Sequence, residues 1–135
     1  MSREQIFLDT SGLIAVLDSD DRFHQPACDI WTYWNTHEIT LRTSNYIVLE
    51  SNALVQQRLG MEALRVLHEY LLAPVDFVWV SKDLHHIAMT NLWAANRRRL
   101  SLVDCTSFEI MRDLDLRGVF TFDHHFTEQG FTCLP

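Results

Sequence analysis

Four short apolar runs in this 135-residue chain each end, or break, on a carboxylate. Asp9 follows Ile6-Phe7-Leu8, Asp104 follows Leu100-Ser101-Leu102-Val103, and Asp123 follows Val119-Phe120-Thr121-Phe122. Glu50 falls between Tyr46-Ile47-Val48-Leu49 and Ala53-Leu54-Val55. Continuous apolar runs without polar alternation suit strands buried on both faces, and such strands need a parallel sheet with helices over each face. The carboxylates add a second constraint. Taking one out of water costs several kcal/mol unless it is paired or holds a metal. A fold that gathers four of them must hold them through something cationic, and a hard divalent ion such as Mg²⁺ or Mn²⁺ is the natural occupant.

The remaining pattern supports alternation of strands and helices. Ile6–Leu8 reads as a short buried strand. A helix is predicted from about Phe23 to Thr36 with Asp21 as its N-cap, followed by a weak strand over Ile39–Arg42. Ser44 caps a helix whose stripe includes Ile47, Glu50 and Leu54 and which Gly60 ends. A further helix runs from Glu62 to Leu72, before Pro74, and Phe77–Val80 is rich in β-formers. Ser81 opens a helix with Leu84, Ile87, Ala88, Leu92 and Ala95 at helical spacing; Asp104 begins another that reaches Leu116. Val119–Phe122 and Phe131–Leu134 close the set as strands. The expected fold class is α/β, a three-layer α/β/α sandwich around a central parallel sheet.

That architecture makes the carboxylates converge. Asp9 and Asp123 fall at the carboxyl ends of strands, the edge where open α/β sheets bind ligands. A helix returning along a parallel sheet starts at that same edge. Asp104 is placed at such a start, and Glu50 within two turns of another.

Bulk properties exclude several alternatives. Hydrophobic residues are 47% and charged residues 21%, the balance of a globular domain, and the length fits one domain spanning residues 1–135. A net charge of −7 argues against tight, metal-free coating of nucleic acid, although bound metal would cancel charge locally. Cys28, Cys105 and Cys133 are odd in number without CxxC spacing, so a reducing cytoplasm is the simpler expectation than disulfides or zinc. No segment approaches the ~20 apolar residues of a membrane span, and the N-terminal stretch lacks a signal-peptide core.

The ordered set Phe7-Leu8-Asp9-Thr10-Ser11, Val48-Leu49-Glu50, Leu102-Val103-Asp104-Cys105-Thr106-Ser107 and Thr121-Phe122-Asp123-His124-His125-Phe126 resembles the PIN-domain nucleases. Within them it is most similar to the VapC-type toxins of toxin–antitoxin pairs, and Asp21-Arg22-Phe23-His24 matches a recurrent Asp-x-x-His element. The resemblance covers essentially the whole chain. It implies a parallel sheet of about five strands and an acidic quartet at Asp9, Glu50, Asp104 and Asp123, with Ser11 and Thr106 or Ser107 as supporting hydroxyls. It implies a Mg²⁺- or Mn²⁺-dependent ribonuclease, with Asp9 and Asp104 as direct metal ligands and Asp123 and Glu50 completing the shell or orienting water. The implied partners are an RNA substrate, a small antitoxin protein and a second copy of the chain, without a membrane.

Each feature has a plainer reading. Asp9 and Asp123 suit turns or helix caps, and an inward Glu50 could pair with a core arginine. Asp104 can cap its own helix and bind metal as well. Asp21 is read as a cap and His24 as its partner. His85-His86 and His124-His125 face different directions as neighbours, which favours solvated or packing roles. Arg97-Arg98-Arg99 is either a solvated helix end or a grip on phosphate. Trp31, Trp34, Trp79 and Trp93 are assigned to the core or to a dimer contact, and Cys105 to small-residue packing. An aspartyl-phosphate enzyme is disfavoured by Ser11, where it needs a second Asp, and by the position of the only lysine, Lys82. A PIN nuclease of RNA processing or decay, and a non-catalytic RNA-binding PIN module, are the competing functions.

Overall fold

The computed structural model describes residues 3–135; Met1 and Ser2 lie outside the described residues. Five strands form one wholly parallel sheet: β1 (Glu4–Leu8), β2 (Ile39–Ser44), β3 (Asp76–Val78), β4 (Gly118–Phe120) and β5 (Thr132–Leu134). Their order across the sheet is β3-β2-β1-β4-β5. The chain thus winds outward from β1 in one direction, then returns and winds outward in the other. Right-handed crossovers in opposite directions place helices on opposite faces, which is the expected three-layer sandwich. The reversal occurs between β1 and β4, where Phe7 pairs with Val119 and Leu8 with Phe120.

Helices α1 (Thr10–Leu17) and α2 (His24–Asn35) join β1 to β2, and α3 (Asn45–Leu59) and α4 (Met61–Val66) join β2 to β3. Helices α5 (Lys82–Ala95) and α6 (Leu102–Asp113) lead to β4, and the short α7 (His125–Glu128) to β5. Ile6, Phe7 and Leu8 are fully buried, as unalternating apolar strands require. Phe120 packs beneath Trp31 and Trp34, while Phe108, Phe126 and Phe131 form a separate aromatic cluster around α6, α7 and the approach to β5. Helix α1 approaches β4 so closely that a Cβ on Gly12 would stand 2.7 Å from both the ring and the carbonyl oxygen of Phe120.

Several boundaries differ from the sequence expectation. Helix α1 is buried along most of its length, so it has no polar face to set a period and the apolar pattern does not single it out. The N-cap of α2 is Phe23 rather than Asp21; the Asp21 carboxylate instead accepts the Phe23 N–H at 2.8 Å in an Asx turn one step earlier. Helix α6 begins at Leu102 with Ser101 as its N-cap, so Asp104 stands at its third position rather than at its start. The helix before Pro74 is α4 followed by a π-helical turn over Leu67–Leu71. Strand β4 stops at Phe120; the Thr121 N–H still donates to the Leu134 carbonyl of β5 at 3.2 Å, and Phe122 and Asp123 follow outside the strand. Ser44 and Ser81 do cap α3 and α5, accepting from the N–H groups of Ile47 and Leu84 at 3.2 and 3.1 Å. Among the described residues no helix is long and apolar enough to cross a membrane.

Candidate active site

Asp9 is the first residue past β1, and it is only 5% exposed. Its N–H still pairs with the Phe120 carbonyl at 3.1 Å, which locks it onto the edge of β4. One carboxylate oxygen, Oδ2, accepts from the hydroxyls of Ser11 at 3.0 Å and Thr121 at 2.8 Å. Those hydroxyls in turn accept the N–H groups of Phe122 and Asp123, both at 3.0 Å. The loop beyond β4 is therefore threaded onto the Asp9 carboxylate, and Asp123 is delivered beside it.

The other two acids arrive from helices. Asp104 shares a capping box with Ser101: its N–H donates to Ser101 Oγ and its Oδ2 accepts the Ser101 N–H, each at 3.0 Å. Glu50 stands in the second turn of α3, beside Thr10, whose hydroxyl receives a 3.1 Å hydrogen bond from Ser51. All four acids line one cleft of about 460 Å³ above the β1/β4 reversal. The rim carries Asp21, the stacked rings of Phe23 and Phe122 at 4.4 Å, and the guanidinium residues Arg58 and Arg99. Among the described residues, no Lys or Arg forms an ion pair with any of the four carboxylates.

Crowding of like charge shows in their proton affinities. Burial pushes the Asp9 carboxyl up to about 7; the Thr121 and Ser11 hydrogen bonds oppose this, and the charges of Asp104 and Glu50 add to it. Burial likewise raises Glu50, helped by Asp104 and Asp123 and opposed by Thr10. Asp104 is raised by burial and by Asp123, against the bonds to Ser101 and the nearby His125 imidazole. Such an uncompensated oxygen-lined cluster fits a divalent cation: the charge it would bring is the charge the site lacks.

Of the hydroxyls expected from sequence, only Ser11 touches the quartet. Thr106 and Ser107 bond back to the carbonyls of Leu102 and Val103, one turn earlier in α6, rather than to the acids. Thr121 takes the supporting role instead; its place immediately after β4 was the available signal. His24 is not a partner for the Asp21 side chain, because its Nδ1 contacts the Ala15 carbonyl at 2.8 Å. Of the solvated and packing roles expected for the histidine pairs, His125 takes the buried one, and each of Asp104, Asp123 and His125 offers one ligand atom within 4.8 Å of the others. The arginine run divides: Arg97 is bound to Glu128 at 2.7 Å, Arg98 lines a separate surface depression with Trp93, and of the three only Arg99 lines the acidic cleft. Arg58, one turn beyond Leu54 on α3, was not foreseen.

A parallel sheet with an acidic cleft at its topological reversal defines a class, and the PIN-domain family model matches residues 6–131; the chain belongs to that family. It is 32% identical over 127 residues to the 23S rRNA-specific endonuclease VapC20 of Mycobacterium tuberculosis, across 93% of this chain and 95% of the relative. The crystal structure of that VapC20, described as a Sarcin-Ricin loop cleaving toxin, matches with a TM-score of 0.83 at 30% identity over 94% of this chain and 96% of the other. VapBC2 from Rickettsia felis, solved with a DNA fragment from its promoter, shares the fold at a TM-score of 0.71 and 10% identity, covering 97% and 99% of the two chains. FitAcB from Neisseria gonorrhoeae does so at 0.68 and 14%, covering 96% of each.

Proposed function

We propose that this chain is a divalent-metal-dependent endoribonuclease acting as the toxin of a toxin–antitoxin pair, with ribosomal RNA as its substrate class. The observation that carries the reading is the convergence of Asp9, Glu50, Asp104 and Asp123 on one cleft, with no Lys or Arg ion-paired to them among the described residues, in a chain aligned almost end to end with an rRNA-specific endonuclease. Asp9 and Asp104 would be the direct ligands of Mg²⁺ or Mn²⁺. Each has Oδ2 tied by hydrogen bonds within the protein, which leaves Oδ1 for the cleft. Asp123 and Glu50 would complete the shell. A divalent ion held there would neutralise the scissile phosphate and polarise it toward attack.

The protein's own groups do the rest. Ser11 and Thr121 fix the direction of the Asp9 carboxylate before substrate arrives, so no reorientation is needed at reaction. Glu50 lines the same cleft, and its carboxylate suits the uptake of a proton from the attacking water as that water's oxygen bonds to phosphorus. The phosphorus–oxygen bond to the leaving ribose then breaks, and that oxygen gains a proton from solvent. Arg99 at the rim is placed to hold a neighbouring phosphate.

Two partners belong to the proposal. An antitoxin protein would block the cleft with an Arg or Lys in place of the metal, a fit favoured by four carboxylates with no cation of their own. A second copy of the chain would cover the apolar surface of Val48, Leu49, Phe77 and Trp79, where Leu49 is 72% and Trp79 74% exposed. Cleavage of intact ribosomes or ribosomal RNA by the purified protein, with Mg²⁺ or Mn²⁺ and with chelator, tests the central claim. Discrete fragments that require metal and vanish in quartet Asn or Gln variants are expected. Absence of cleavage of any RNA by a folded, metal-supplied protein overturns it.

A further inference from the structure

We propose that His125 supplies an imidazole nitrogen to a divalent ion held between Asp104 and Asp123, and so biases the site toward Mn²⁺ over Mg²⁺. The inference rests on the reading that the quartet holds a divalent ion, and adds a fifth residue of a different chemical kind.

His125 begins α7, two residues beyond Asp123. Its N–H donates to Asp123 Oδ1 at 3.0 Å, and the next residue, Phe126, is fully buried, so the imidazole has little freedom. The side chain is 8% exposed. Its Nε2 lies 3.9 Å from Asp123 Oδ1 and has no hydrogen-bond partner. The ring is mostly enclosed, yet Nε2 engages no hydrogen bond among the described residues and stands beside two carboxylates, so it is free to ligate an ion in the gap between them. One atom from each of Asp104, Asp123 and His125 lies within 4.8 Å of the others, a spread that a single ion can bridge.

The far side of the ring faces a carboxylate that can take the other nitrogen's proton, with a guanidinium close by. An imidazole that ligates through one nitrogen carries its proton on the other and usually gives it to a carboxylate. Glu128 Oε2 is 3.8 Å from Nδ1, and Arg97 holds that same carboxylate oxygen at 2.7 Å. Arg97 Nη2 is also 3.5 Å from Nδ1, at the outer limit of a hydrogen bond. In the ligating tautomer, Nδ1–H turns to Glu128 and the guanidinium stays on the carboxylate alone. His124 and Glu128 also approach His125, but His124 is exposed and Glu128 is engaged by Arg97, so the ion belongs on the Asp104–Asp123 side. An all-oxygen site suits Mg²⁺, whereas a nitrogen ligand favours a first-row transition ion. The competing explanation is that His125 is an imidazolium counter-ion to Asp104 and Asp123 and never touches metal.

Pulsed electron paramagnetic resonance on the full chain loaded with Mn²⁺ separates the two. The expected spectrum shows coupling to a directly bound imidazole nitrogen, which shifts on ¹⁵N-histidine labelling and is lost in His125→Asn. By calorimetry, His125→Asn is expected to weaken Mn²⁺ about 10-fold or more and Mg²⁺ by no more than about threefold. Mn²⁺ that binds, is lost in Asp104→Asn, but shows no nitrogen coupling overturns the role of His125 while leaving the quartet reading intact. Nitrogen coupling that survives in His125→Asn, or equal weakening of both ions, overturns it as well. If no Mn²⁺ binds the wild-type protein, both readings fall. Should His125→Asn not fold, His125→Gln replaces it, with His124→Asn as the control in which the nitrogen coupling must survive.

Discussion

The Thr121 hydroxyl donates a 2.8 Å hydrogen bond to the Asp9 carboxylate across 112 positions of sequence, and the same oxygen accepts the N–H of Asp123. One side chain thus aims the first acid and places the fourth. Thr121→Val keeps the shape and removes both bonds. It is expected to lower metal-dependent cleavage by about 10- to 100-fold with little change in fold. Cleavage at the wild-type rate in a folded Thr121→Val protein would count against any orienting role.

Asp104→Asn should abolish cleavage, by at least ~100-fold in kcat, because the charge that holds the ion is gone. The fold should survive. An Asn oxygen can still accept the Ser101 N–H in the capping box, and repulsion within the quartet falls. Unchanged or raised thermal stability together with lost cleavage is the expected pair of readings. Full activity would sink the metal site.

Stability of the metal-free protein should fall as pH rises. Asp9 binds a proton more tightly folded, up to about 7, than unfolded, at 3.8, so the folded state holds the extra proton between those values. Its contribution is fully present below 3.8 and is lost as pH rises through about 7, on the order of 4 kcal/mol at most. Glu50 and Asp104 shift in the same direction. Urea midpoints in chelator should therefore be lower at pH 8 than at pH 5, Asp9→Asn should shrink the difference, and Mn²⁺ should restore the midpoint at pH 8. Equal midpoints at both pH values without metal would contradict the burial of Asp9.

The three adjacent arginines should behave differently. Arg99 lines the cleft, so Arg99→Gln should raise KM and reduce the salt dependence of RNA binding by a slope of roughly 0.7, with kcat little changed. Arg97 is committed to Glu128, so Arg97→Gln should leave that slope alone. Identical slopes for wild type and Arg99→Gln would remove the phosphate contact from the proposal.

A dimer through the Leu49–Trp79 surface predicts that Trp79→Lys yields a monomer that keeps its fold. Light scattering of both proteins at high micromolar concentration checks this, and a strictly monomeric wild type would refute it. Of the tryptophans assigned from sequence to the core or a dimer contact, Trp34 is buried and Trp31 partly so, while Trp79 carries this exposed aromatic surface.

The layered fold and the acidic edge were legible because buried parallel strands leave unbroken apolar runs, and an acid that ends one has few reasons to be there. Ser44 and Ser81 were legible for the same local reason, as caps before apolar helical stripes. What escaped depends on geometry between distant segments. Whether Ser107 or Thr121 would reach Asp9 is decided by helix phase and by where β4 ends, and neither is encoded in spacing. His125 and Arg97 could be read only as members of pairs and runs until α7 brought Glu128 against both. Exposure of Trp79 and Trp93 was equally hidden, because an aromatic residue reads alike in a core and on a surface.

Strand β4 lies between β1 and β5 in space but follows β1 by more than a hundred residues in the chain. Asp9 and Glu50 are therefore made early and stay harmless, because neither the Thr121 hydroxyl nor Asp123 exists until β4 has been synthesised and has docked beside β1. Under the proposed function, the finished protein would threaten the RNA of the cell that makes it. Here the order of the strands acts as a safety catch: while the ribosome is still producing the chain, the cutting edge is missing two of its parts.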